Sequence, residues 1–125
     1  MRAIPKKLLE EMLNDEEYET CMRNEVFNDH VCEGRITLEH TMIYAGRQVN
    51  EKWAIIPICA KAHEVDLFQD SGNLDKDKNK CIALNRATEE DFANPEYEKN
   101  DWKQQREYLN EKFKDELKNE PFDLF

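Results

Sequence analysis

Glu39 and His40 stand side by side, and His63 follows Cys59 by four residues in the run Cys59-Ala60-Lys61-Ala62-His63. A carboxylate and a neutral imidazole are competent ligands for one divalent ion, with water and phosphate oxygens filling its other positions. Neighbouring residues on a strand face opposite sides, so His40 can take a proton from an attacking water while Glu39 holds the ion. One ion and one general base suffice to hydrolyse a phosphodiester, because the metal stabilises charge growing on the phosphate and the leaving oxygen. This chemistry requires two strands whose ends bring Glu39 and His63 to the same side, with Asn50 on the connection between them.

The chain has elements of the right kind. Arg35-Ile36-Thr37-Leu38-Glu39-His40 alternates with β-branched residues and predicts a short strand. Trp53-Ala54-Ile55-Ile56-Pro57-Ile58-Cys59 predicts a second, with Pro57 placing its end on an edge. Between them Tyr44 to Asn50 reads as a loop, where Gly46 supplies a conformation that other residues disfavour. Before the first strand, residues 24–34 have the turn-rich composition of a loop that delivers His30 and Cys32 to that strand. Leu8, Leu9, Met12 and Leu13 repeat at helical spacing and predict an amphipathic helix over about 5–20. Helix returns after Cys59, first to Phe68 and then, capped by Asn73, from Leu74 to Leu84. Thr88-Glu89-Glu90-Asp91 resembles a capping box, as does Asp101 with Gln104. Behind the latter, Trp102, Arg106, Leu109, Phe113 and Leu117 keep a stripe to about residue 118. Trp53, Trp102, Tyr44 and this stripe read as core. The order predicts one α+β domain over residues 1–125, with a small hairpin flanked by N-terminal and C-terminal helices.

Lys and Arg number 18 and Asp and Glu 28, for a net charge of −10. The distribution is uneven: −5 over residues 1–34, +2 over 35–63 and −7 over 64–125. Arg35, Arg47, Lys52 and Lys61 make the middle third an electropositive island, and these four are the candidate phosphate contacts. With 3 Gly and 4 Pro, collagen-like and simple low-complexity classes are excluded. The longest uncharged stretches are far short of a membrane span. Met1 to Lys7 lead into Glu10 and Glu11 without an apolar signal core, which points to a cytoplasmic protein. Four cysteines stand at 21, 32, 59 and 81, no two spaced as Cys-x-x-Cys. In a reducing compartment they are free or metal-bound rather than disulfide-linked, and each also suits a buried core position.

The run Cys32-Glu33-Gly34-Arg35-Ile36-Thr37-Leu38-Glu39-His40-Thr41, then Ile43 to Cys59 and His63, resembles phage-type HNH nucleases. Leu74-Asp75-Lys76 with Ile82-Ala83-Leu84-Asn85-Arg86-Ala87-Thr88 is similar to their downstream part, so the resemblance covers about residues 21–110. It implies the ββα-metal fold, with an HNH-like core over about 32–68, an N-terminal helix over about 5–20 and C-terminal helices over about 74–118. Position by position, it makes His40 the general base, Glu39 the acidic ligand of a Mg or Mn ion and His63 the ligand that opens the closing helix. The family's middle Asn falls at Ala54 here; Asn50, four residues earlier, either takes that role from the loop or is an ordinary turn residue. Relatives with a structural metal carry two knuckles. Here Cys59 remains with Ala62 at its partner position, and Cys21, His30 and Cys32 stand at loose spacing in place of the first. A structural zinc would draw on Cys21, His30, Cys32 and Cys59, as a three-ligand remnant or with Cys81 or another group completing the tetrahedron.

The expected activity is thus that of a metal-dependent DNA endonuclease of phage or prophage origin, acting in the bacterial host cytoplasm with DNA and no membrane as its partner. A second expectation, favoured by Ala54, Ala62 and the acidic flanks, is a catalytically degenerate HNH scaffold that serves as an acidic binding module for a phage replication, recombination or packaging protein. A third is a small zinc-stabilised regulator that binds DNA without cutting it.

Overall fold

The computed structural model describes residues 4–28, 30–62 and 72–116, the last stretch with side chains from residue 76 onward. The N-terminal stripe of Leu8, Leu9 and Met12 forms α1 (Lys6–Leu13), shorter than the expected helix over 5–20. Asp15 is the reason: its carboxylate accepts the Glu17 N–H at 2.9 Å and starts a separate 3-10 turn at Glu16–Glu19. A side chain that satisfies the backbone locally competes with helix continuation. Part of the stretch read as a loop is also helical. α2 (Met22–Phe27) buries Met22, Val26 and Phe27, and Asn28 ends it in the left-handed conformation at φ 51°.

The two expected strands form, as β1 (Ile36–His40) and, after three smaller elements, β4 (Ile55–Cys59). They pair antiparallel, with Ile36 opposite Cys59 and His40 opposite Ile55. The connection is not a plain loop: β2 (Ile43–Tyr44) and β3 (Arg47–Gln48) make a second, very small hairpin. Ala45 and Gly46 both have positive φ, 52° and 77°, which is the type I′ geometry that matches strand twist. A 3-10 turn, Lys52–Ala54, leads into β4. Among the described residues this sheet has two strands, and Pro57, opposite Leu38, sits where its missing N–H costs no further pairing.

Residues 60–62 turn directly into helix. Then come α3 (Gly72–Arg86), longer than the expected 74–84, α4 (Glu89–Phe92), a 3-10 turn at Pro95–Tyr97 and α5 (Trp102–Lys112). The capping box at Thr88 is present, with Thr88 Oγ1 accepting the Asp91 N–H and the Asp91 carboxylate accepting the Thr88 N–H. That at Asp101 and Gln104 is not. Asp101 caps no backbone group and accepts from the Gln105 side chain instead. α5 ends at Lys112 rather than near 118, and the C-terminal tail lies outside the described residues.

β4 is buried on both faces and organises two clusters. Ile55 meets Met12 and Tyr18, with Leu8, Leu9 and Leu38 around them. Ile56 and Ile58 face α2, α3 and α5, where Trp53, Phe92, Tyr97 and Trp102 pack edge-on or tilted with centroids 5.0–6.5 Å apart. Arg86 joins the two clusters. Its guanidinium lies 5.1 Å from the Tyr18 ring centroid and donates to the carbonyls of Lys52 and Ile55 at 3.2 Å each. Among the described residues no helix is long and apolar enough to cross a membrane.

Candidate functional site

Four metal-binding side chains converge from three stretches of chain. Cys21 precedes α2, His30 and Cys32 lie on the loop that leaves it, and Cys59 ends β4. Their ligand atoms all lie within 4.8 Å of one another. From His30 Nε2 the sulfurs of Cys59, Cys32 and Cys21 are 3.2, 3.5 and 3.6 Å away. Around one tetrahedral zinc, bonds of about 2.05 Å to nitrogen and about 2.3 Å to sulfur place N and S about 3.6 Å apart. The set therefore has the dimensions of a four-ligand site, and all of its thiols are free of disulfides. These residues can hold a metal ion.

Local backbone geometry explains the convergence. Gly34 has φ 81°, and a Cβ there would stand 2.8 Å from the Ala60 Cβ. Only glycine lets the loop press so close to the end of β4. Ala60 N–H then donates to the Arg35 carbonyl at 2.9 Å and Lys61 N–H to that of Glu33 at 3.1 Å. Burial alone would push the Cys59 thiol up. The N–H groups of Ala62 and Glu33, with His30 and Cys32, outweigh it and bring the thiol down to about 7. Cys21 is raised by burial, although the N–H groups of Cys59 and Asn24 oppose it. Desolvation and the adjoining Cys21 and Cys59 push Cys32 up to about 12. Three thiolates at such distances repel one another, and a bound dication reverses that repulsion. Cys81 takes no part: it is buried beside Asn85 and Asn110.

The far end of the same ladder carries the acid–His pair. His40 Nε2 lies 2.8 Å from the Asn50 side-chain oxygen. A neutral ring that donates from Nε2 to that oxygen carries its lone pair on Nδ1, the tautomer a general base needs. Asn50 thus reaches His40 from the loop, while Ala54 is buried and its carbonyl accepts from the Thr41 hydroxyl at 2.7 Å and the Thr41 N–H at 3.0 Å. Those bonds extend the ladder past His40 and hold its backbone. Glu39 and His40 both line a cleft of about 440 Å³. Glu39, opposite Ile56, belongs to the face of the sheet toward α3; His40, opposite Ile55, belongs to the other. His63, the expected partner of Glu39, lies outside the described residues.

None of the four island cations lines this cleft. Lys52 pairs with Asp15, Lys61 with Glu33 at 3.9 Å, Arg47 borders a separate hollow beside Glu96 and Tyr97, and Arg35 is exposed. The cations that do line it are Lys76 and Lys80 of α3, with Gln48 and Gln105 nearby. Sequence reasoning passed over them because they lie in the acidic second half of the chain. Their spacing of four residues, which sets two side chains on one helix face, was the available signal. Comparison with protein family models, with curated proteins and with solved structures returned no match.

Proposed function

We propose that the chain is a metal-dependent endonuclease of the HNH type, built on a ββα-metal core of phage or prophage origin and hydrolysing phosphodiester bonds in DNA. The observation that carries this reading is the His40–Asn50 hydrogen bond beside Glu39 on an open cleft. His40 is the general base, held in its reactive tautomer by Asn50. Glu39 is the acidic ligand of a Mg or Mn ion, with His63 as its second ligand. That ion supplies charge neutralisation at the phosphate and leaving oxygen. Cys21, His30, Cys32 and Cys59 hold a structural zinc, whose Cys₃His donor set suits a closed site rather than a catalytic one.

Plasmid nicking with added Mg²⁺ or Mn²⁺ tests the catalytic reading. Wild type nicks only with the ion present, and His40→Ala lowers the rate by about 100-fold or more, the usual contribution of a positioned base. Equal metal-dependent cutting by both would remove His40 from the mechanism. No cutting by the zinc-loaded wild type would favour the degenerate-scaffold reading. Native mass spectrometry tests the zinc separately, with one zinc per chain expected.

A further inference from the structure

We infer that Lys76 and Lys80 of α3 are the substrate-positioning residues that seat the DNA phosphate chain in the cleft that Glu39 and His40 also line. The inference rests on the nuclease reading and adds to it the wall that binds substrate. Glu39, His40, Thr41, Met42, Ile43 and Gln48 contribute to one wall; Lys76, Asp77, Asn79 and Lys80, with Gln105, contribute to the other. Residues four apart on a helix stand about 5–6 Å apart at Cβ, so the two ammonium groups sit on one face and reach the same strand. Neither has an ion-pair partner among the described residues. Asp77, the acid between them on the same wall, is paired with Lys112 at 3.0 Å, which balances its charge.

Charge balance makes such a clamp necessary. A chain of net charge −10 repels a polyanion at long range. Binding must then come from cations placed where the phosphates lie, and the four basic residues of the middle third are directed elsewhere. Two flexible lysines act as point charges on phosphate and carry no sequence information. The clamp therefore accepts any DNA strand and fixes its register relative to His40.

The test compares wild type, Lys76→Gln/Lys80→Gln, Lys76→Arg/Lys80→Arg and a charge-matched control, Lys103→Gln/Lys114→Gln, whose lysines pair with Glu89 and Glu111 on the outer surface. Steady-state cleavage of a fluorescein-labelled oligonucleotide is read with Mg²⁺, and equilibrium anisotropy is read over a salt series in the His40→Ala background. The glutamine pair should raise KM about 10-fold with kcat within about 2-fold, and flatten the slope of log K against log salt by about 1.4, or about 0.7 for each lost single-strand phosphate contact. The arginine pair should restore both, and the control should move neither. If wild type cuts and the glutamine pair behaves like the control, the inference is overturned and the nuclease reading stands. If wild type does not cut, the nuclease reading fails and anisotropy still decides the clamp. A flattened slope supports it, while an unchanged slope or absent binding overturns it.

Discussion

The two ends of the β1–β4 ladder are built in opposite ways. At the Ile36–Cys59 end, four ligand atoms from three chain segments crowd within 4.8 Å. At the His40–Ile55 end, four residues and about 14 Å along the strand, Glu39 and His40 border an open cleft, and the Asn50 amide hydrogen-bonds His40. The first end has the donor set and the spacing to hold a metal ion. The second places Glu39 and His40 on the border of a cleft, and depends on the ladder for its rigidity. A metal cross-link at one end and a reactive cleft at the other would both draw on the rigidity of a single ladder.

The largest effect that would break this comparison is at the crowded end. Cys59→Ala, or strong chelation, should abolish zinc retention and cooperative unfolding, since metal-binding energy in such sites is folding energy of about 10–16 kcal/mol. Circular dichroism melts with and without chelator check it, and an unchanged melt would show that the cluster is an ordinary set of buried thiols. His40→Ala should do the reverse, losing about 100-fold in nicking with a melting temperature unchanged within about 2 °C. Asn50→Ala should lose about 10-fold through misorientation of the ring, with the same melt.

Gly34→Ala sharpens the contrast on an intermediate scale. Its positive φ and the 2.8 Å approach to Ala60 predict a loss of about 2 kcal/mol in denaturant melts and weaker zinc retention in a chelator competition. The smallest effect belongs to neither end. A side-chain bond to Lys52, then the Glu17 N–H, hold the Asp15 carboxyl below its ordinary value. Its contribution is therefore present above about pH 4 and lost as pH falls through the lowered value. Water screens this pair, so Asp15→Asn should cost less than about 1 kcal/mol near neutrality, and the gap from wild type should close in acid.

Local pattern accounts for what was legible. Alternation gave β1 to within a residue, an apolar run gave β4 with a start two residues early, and the Thr88–Asp91 box was readable because a cap needs only four consecutive residues. α2 escaped because six residues carry less than two turns of periodicity and its sequence shares the turn-rich composition of the loop after it. The β2–β3 hairpin escaped because its I′ turn uses Ala45 where Asn or Asp is usual.

The residue types for both sites, and the order in which they occur, are properties of the linear chain. So are the hairpin that separates them and the −10 charge. Packing alone decided that Cys21, His30 and Cys32 meet Cys59 while Cys81 turns to Asn85 and Asn110. It also decided that Asn50 rather than the residue at position 54 reaches His40, and that α3 closes the cleft with Lys76 and Lys80. Periodicity and capping act over a few residues and leave a trace in composition. Contacts between distant segments follow from how whole faces bury one another around β4, and that information is spread over the entire core.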